Sequence, residues 1–366
     1  MTGKCPSCEV IDRVSAKPGV LYLVPPVPHT RQSIVGAVEA VGLARPDEET
    51  GMLAVRLDQG QLASLLQRLG DHLSGPELKD CRALFLEQGR SLNPGLVLSE
   101  ALPLESLVGR VEMHWLVDLL ERDSLTSHFH PIVETARPER TVAHEALLRG
   151  VGADGEVLSP GKLFAAGERA DLMFHLDRAA RLTAIREAQR ADLDGDLFIN
   201  FNPTAIYDPE FCLRTTVQAV QDAGMDPRRL VFEVIESERV GDSRHLSDIL
   251  RYYRDAGFRV ALDDLGAGYA SLNLLGELRP DVVKFDRQLI SGVDQDEYKQ
   301  TILGKLVELA RDLGIRMVGE GVETVAEWQY LRDCGVDYTQ GFLFCRPDNP
   351  PPRVHLPTGV AGGDGA

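Results

Sequence analysis

Residues 258–269 read FRVALDDLGAGY, a short apolar run that ends on two abutting carboxylates and then dissolves into glycines. A β-rich apolar run of this length, bounded by turn residues, predicts a buried strand. Taken alone, Asp263, Asp264 and Gly266 are ordinary turn formers. Two neighbouring carboxylates nevertheless repel each other, and a turn does not need both. What the pair means depends on what the other strands carry at the same point.

Outward from that stretch the pattern repeats. FHPIVET, TVAHEALLR, DLFINFNP, RLVFEVIES, DVVKFD, RMVGEGV and YTQGFLF are further apolar, β-rich runs. Between them lie segments of helical period, such as DLMFHLDRAARLTAIREAQ, SRHLSDILRYYRDAG, TILGKLVELARDLG and TVAEWQYLRDCG. Gly224, Gly257, Gly314 and Gly335 each close a helical segment, where a residue past a helix end favours glycine. Repeated βα units call for a parallel sheet, and eight strands over roughly 230 residues predict a (β/α)8, TIM-like barrel. No GxGxxG follows the first strand, which disfavours a dinucleotide-binding sheet.

The amino-terminal stretch has another texture. GVLYLVPP, GMLAVRL and CRALFLEQG read as strands, and QSIVGAVEAVGL and GQLASLLQRLGDHL as helices. The expected organisation is a small α/β domain over 1–105, a single linking helix over 106–124, the barrel over 125–350 and a disordered tail over 351–366. The formal net charge of -17 excludes a binder of nucleic-acid polymers, which needs a basic surface. No stretch is apolar enough to span a membrane and no signal peptide opens the chain, so a cytoplasmic protein is expected. Six cysteines in such a chain do not suggest a disulfide framework. Cys5 and Cys8 form a lone CxxC; a zinc site would need two further ligands, with His29 one candidate, and free thiols are the simpler expectation.

In a barrel the chemistry sits where strands pass into helices. Read to that end, the strands deliver Glu145, Asn200, Glu233, Asp263 with Asp264, Lys284, Glu320 and Gln340. One such residue is an ordinary buried polar group or a cap, but seven strands in phase describe a site. Carboxylates with one amide oxygen form a hard-oxygen donor set suited to Mg²⁺ or Mn²⁺, and the lack of His and Cys argues against zinc. Two abutting aspartates make sense if Asp263 bridges two such ions and Asp264 binds the second. Paired metals clamp phosphoryl groups for attack by water. Lys284 fits as an electrostatic partner of that water or of the developing charge; its simpler reading is a salt bridge to Asp286 or a rim carboxylate. Arg149 offers a forked donor for a second phosphate, or is a plain surface residue.

At these residues the sequence resembles the EAL family, phosphodiesterases that open cyclic di-GMP to linear pGpG. The resemblance rests on HEALLR (144–149), INFNP (199–203), FEVIE (232–236), LDDLGAGYASL (262–272), VKFD (283–286), GEGVET (319–324) and TQGFLFCRP (339–347), in order and over about residues 125–350. It implies metal ligands at Glu145, Asn200, Glu233, Asp263 and Asp264, two ions per site, and catalytic roles for Lys284 and Glu320. It further implies substrate contacts at Leu148, Arg149, Glu323 and Gln340, and a glutamate, Glu236, that steadies the loop after the aspartate pair. That loop is tied in the family to dimerisation, so a homodimer is expected. Leu265 stands where phenylalanine is usual, Ala270 replaces a common serine, and His130 takes the place of a glutamine; none of these removes a ligand. The amino-terminal domain shows no GGDEF-type stretch and no haem, flavin or bilin motif, and is expected to take up a signal or protein partner. The rival reading is a domain that binds cyclic di-GMP without cleaving it and signals through that amino-terminal domain. Such receptors lose ligand carboxylates or the lysine, and here every position is filled.

Overall fold

A computed structural model of the chain describes residues 11, 13–49, 51–235, 243–266 and 271–356. Contacts divide it into two compact units: residues up to Ser124 together with Gly161–Leu176, and Leu125–Pro160 together with the chain from Asp177 onward.

In the first unit β1 (Gly19–Val24), β2 (Asp47–Glu49), β3 (Met52–Leu57), β4 (Arg82–Glu87) and β5 (Leu102–Pro103) form an antiparallel sheet in the order β2-β3-β1-β4-β5. Alternation along the strands separates two apolar faces. Leu21, Leu23, Leu53 and Val55 pack with Ile34, Leu65 and Leu69 of the helices Pro28–Ala40 and Gln61–His72. Tyr22, Ala54, Leu84 and Leu86 lie under Leu92, Leu96 and Val97. The segment expected as one helix is instead two, Leu104–Glu112 and His114–Glu121, because Met113 leaves helical geometry at φ -100° and ψ 29°.

The second unit is the barrel. Its strands are β6 (Leu125–Glu134), β7 (Arg137–Val151), β9 (Asp196–Asn200), β10 (Leu230–Ile235), β11 (Arg259–Leu265), β12 (Val282–Phe285), β13 (Arg316–Gly319) and β14 (Tyr338–Thr339), with β8 (Val157–Leu158) appended to β7. The order β6-β14-β13-β12-β11-β10-β9-β7 is closed by β6 pairing with β7. The pairs from β7 round to β14 are parallel, whereas β6 runs antiparallel to both neighbours. Thr135 and Ala136 alone separate β6 from β7, too short a link for the helical crossover a parallel pair requires.

One residue from each strand fills the barrel interior: Ile132, Ala143, Phe198, Val231, Ala261, Val282 and Val318, with Tyr338 packed against them. This apolar plug is the floor of the site. Side chains alternate along a strand, so residues two positions further on point inward again, one layer up. On the parallel strands those residues are Glu145, Asn200, Glu233, Asp263, Lys284, Glu320 and Gln340. On the reversed strand β6 the same layer is reached two positions earlier, at His130.

Cys5, Cys8, Glu236, Ala270 and residues 357–366 lie outside the described residues.

Candidate functional site

The layer above the plug is a ring of acids around one cation. The Lys284 ammonium lies 2.5 Å from Glu320 Oε1, 2.6 Å from Glu233 Oε1, 3.3 Å from Asp263 Oδ1 and 3.7 Å from Glu145 Oε1. Lys284 is 1% exposed and Glu233 0%. Of the two simpler partners for Lys284, the rim carboxylates hold it; Asp286 instead accepts from Gln288 N at 2.8 Å and caps the short helix Arg287–Ile290. Glu145 accepts from Asn200 Nδ2 at 3.2 Å and from Gln340 Nε2 at 2.8 Å.

The two abutting aspartates reach the same cavity through a break in the strand. The β11–β12 register shifts between Leu262 and Leu265, and Asp264 adopts a left-handed φ of 57°. That conformation is uncommon for residues other than glycine and is most tolerated by Asn and Asp. It brings carboxylate oxygens of Asp263, Asp264 and Glu320 within 4.8 Å of one another, whereas a regular strand would send successive side chains to opposite faces. Asp264 N also donates to Asp263 Oδ1 at 2.9 Å. Leu265, next in sequence, is buried beside Phe285.

Gln340 is placed by the glycine after it. A Cβ on Gly341 would stand 2.1 Å from Val322 O and 2.3 Å from Val322 N, so only glycine lets these backbones touch. Gln340 N donates to Gly319 O at 2.9 Å, and Val322 N to Gln340 O at 3.1 Å. These bonds lock the Gln340 segment to the turn that carries Glu320.

Burial and mutual repulsion set the protonation of the ring. Desolvation pushes the Glu233 and Glu320 carboxyls well above the usual range, although Lys284 opposes it. Asp263 is raised by the same burial and by Glu145, and Asp264 is pushed up to about 6 by burial and by Asp263. Glu145 ends below its ordinary value: burial would raise it, but Lys284, His130 and the Gln340 and Asn200 hydrogen bonds outweigh that. Lys284 is driven well above its usual value, because Asp263, Glu145, Glu233 and Glu320 outweigh its desolvation. One positive charge thus faces four acids at contact distance; Oε1 of the buried Glu233 is ion-paired to Lys284 at 2.6 Å, while its Oε2 has no hydrogen-bond partner among the described residues. Four acids against one lysine leave room for more positive charge: in a dry interior the surplus is met by protonation or by a further cation. An all-oxygen donor set with a carboxamide fits a hard divalent ion.

Of the other expected site residues, Arg149 feels the charge of Glu145, and Leu148 and Glu323 make no hydrogen bond or ion pair with the ring among the described residues. Leu148 is buried, and its carbonyl accepts from Arg149 Nη1 at 2.8 Å. Arg149 is half-buried, with its pKa lowered by desolvation. Glu323 pairs with Arg287 at 2.7 Å, both largely exposed. Sequence reasoning missed His130 as a member of the ring. It is buried, faces Glu145 across the β6–β7 ladder, and its Nε2 has no hydrogen-bond partner among the described residues. The available signal was its place two residues before Ile132, which reports on the site only once β6 is known to be reversed.

Comparison with known proteins agrees with this geometry. The sequence profile described as EAL domain matches residues 113–347. The chain is 32% identical over 242 residues to the bifunctional diguanylate cyclase/cyclic di-GMP phosphodiesterase MucR of Pseudomonas aeruginosa, which covers 64% of this chain and 35% of that protein. The match is less than half of that relative's length, so likeness is confined to the shared domain. A standalone versatile EAL protein from Vibrio cholerae in its c-di-GMP-bound form superposes with a TM-score of 0.57 at 36% identity, over 63% of this chain and 95% of that one. The manganese/cyclic di-GMP complex of Klebsiella pneumoniae BlrP1 shares the fold over 90% of this chain and 96% of its own, with a TM-score of 0.56 at 24% identity.

Proposed function

The chain belongs to the EAL-domain family, and from that premise we propose that it hydrolyses cyclic di-GMP to linear pGpG. In this reading Glu145, Asn200, Glu233, Asp263 and Asp264 hold Mg²⁺ or Mn²⁺, two per site. Such ions, when bound, supply Lewis acidity to the phosphodiester oxygen and make water a better nucleophile at neutral pH. The observation that carries the reading is the buried ring, in which four acids share one lysine and Glu233 Oε2 is left without a hydrogen bond.

Each residue then has a task its position supports. Lys284 presents fixed positive charge to the oxygen that becomes negative as the attacking water adds to phosphorus. Glu320, whose carboxylate lies 2.5 Å from Lys284, accepts the water proton. The bond from phosphorus to the 3′ oxygen breaks, and that oxygen leaves with a proton, giving a 5′ phosphate and a free 3′ hydroxyl. Gln340 and Asn200 orient Glu145 through their hydrogen bonds. Arg149 offers its guanidinium to the second phosphate, and Leu148 and Glu323 border the substrate. The same reading makes the protein a cytoplasmic homodimer whose amino-terminal unit takes up a signal or a protein partner. Among the described residues, no helix is long and apolar enough to cross a membrane.

The test is pGpG formation by the purified full chain with Mg²⁺ or Mn²⁺, followed by anion-exchange chromatography. Asp263→Asn should lower the rate by more than ~100-fold, since even outer-shell partners of metal ligands cost 10–100-fold. Tight binding of cyclic di-GMP with no pGpG from the unaltered chain would replace the enzyme by a receptor.

A further inference from the structure

The Lys284 ammonium has three N–H donors, and four carboxylates lie within 4 Å of it. Three of those acids, Glu145, Glu233 and Asp263, are candidate ligands. The oxygens that face the ammonium, Glu145 Oε1, Glu233 Oε1 and Asp263 Oδ1, therefore serve either the lysine or an entering cation. Asp264 is the exception: it approaches Asp263 and Glu320 within 4.8 Å and makes no ion pair with Lys284. Lys284 is itself 1% exposed, so water cannot share its charge.

We infer that Lys284 is a stand-in cation, which holds the carboxylate ring together in the metal-free protein and, by occupying the ligands' oxygens and repelling positive charge, sets how weakly the site binds divalent ions. The inference rests on the reading of the ring as a divalent-cation site. Its physical basis is twofold. Without Lys284, Glu145, Glu233, Asp263 and Glu320 could relieve their mutual repulsion only by taking up protons, and the metal-free fold would loosen there. With Lys284, each incoming ion meets a fixed positive charge at short range, where Coulomb repulsion is weakly screened. The site thus exchanges metal affinity for a ring already assembled when the ion arrives.

The experiment is Mn²⁺ and Mg²⁺ titration calorimetry on the full chain and on Lys284→Met, alongside thermal melts with and without metal. Substrate and turnover play no part in it. Lys284→Met should bind Mn²⁺ at least ~10-fold more tightly than the unaltered chain, as removing one close positive charge predicts. It should also melt lower without metal and regain the difference when Mn²⁺ is added. Unchanged or weaker Mn²⁺ binding by a folded Lys284→Met overturns the inference and leaves the phosphodiesterase reading standing. Absence of Mn²⁺ and Mg²⁺ binding by the unaltered chain ends both. If Lys284→Met does not fold without metal, refolding with Mn²⁺ or pairing with Glu233→Gln should recover it. Failure of both rescues would show that the lysine acts through packing alone, and would overturn the inference.

Discussion

Arg181 and Lys284 are each 1% exposed and both belong to the barrel unit, yet their surroundings differ in kind. Arg181 pairs with Asp177, one turn earlier on the helix Met173–Arg190, and its Nε donates to Thr216 Oγ1 at 3.2 Å. The other oxygen of Asp177 accepts from Asn202 N at 2.9 Å. Among the described residues that cation is matched one to one, and each partner has a second hydrogen bond. Lys284 faces four acids instead. A matched buried pair joins parts of a fold, whereas an unmatched ring has room for further positive charge. Imbalance, more than burial, separates a site from a strut.

The largest effect expected from this contrast is at the strut. Asp177→Ala leaves the arginine buried without its acid and should destabilise the protein by about 3–5 kcal/mol in denaturant unfolding. Replacing both partners, as Asp177→Leu with Arg181→Met, should restore most of that loss, because an apolar pair of similar volume is close to neutral. A loss below 1 kcal/mol for the single change would erase the distinction between the two cations. The ring should respond in the opposite direction. Glu233→Gln removes one of four acids whose ionisation burial opposes, and should raise metal-free stability on the order of 1 kcal/mol at neutral pH. The sign follows from its raised pKa: above the unfolded value, ionisation favours the unfolded chain, and the amide cannot ionise. A fall in stability would show that the Glu233–Lys284 pair outweighs the repulsion.

The same imbalance decided how much could be read from sequence. Charged residues at the ends of apolar strands are conspicuous, so the seven members on parallel strands were visible at once. What organises them, the spacing of two from an apolar plug residue, needs the structure only for β6, whose reversal hid His130. The left-handed turn at Asp264 was foreseeable in kind, since two carboxylates bound for one cavity demand a break in alternation. The first unit offered no such handle. Its main strands and helices follow ordinary periodicity, but the break at Met113 has no proline or glycine to announce it. Nor does the text of residues 161–176 reveal that they cluster with the amino-terminal unit, because burial against a distant segment leaves no local period.

A carboxylate near the surface is held by hydrogen bonds in place of a buried cation, and gives the smallest effect. Glu77, at the start of the helix Gly75–Asp80, accepts from Ser74 N at 3.0 Å, Ser74 Oγ at 2.8 Å and Thr30 Oγ1 at 2.8 Å. These three donors hold its carboxyl down at about 2, against an ordinary value of 4.5. A depressed pKa contributes stability that is complete above the unfolded value and disappears as pH falls toward the folded one. Melting of the protein should therefore decline between pH 4.5 and 2 in part through this residue. In Glu77→Gln, which still accepts one hydrogen bond and cannot titrate, that part of the slope should vanish while the melt near pH 7 shifts only slightly downward. An identical slope in the variant would mean that hydroxyl and amide donors do not hold this carboxylate as the geometry indicates, and that a partner cation, as at Asp177, is needed to do so.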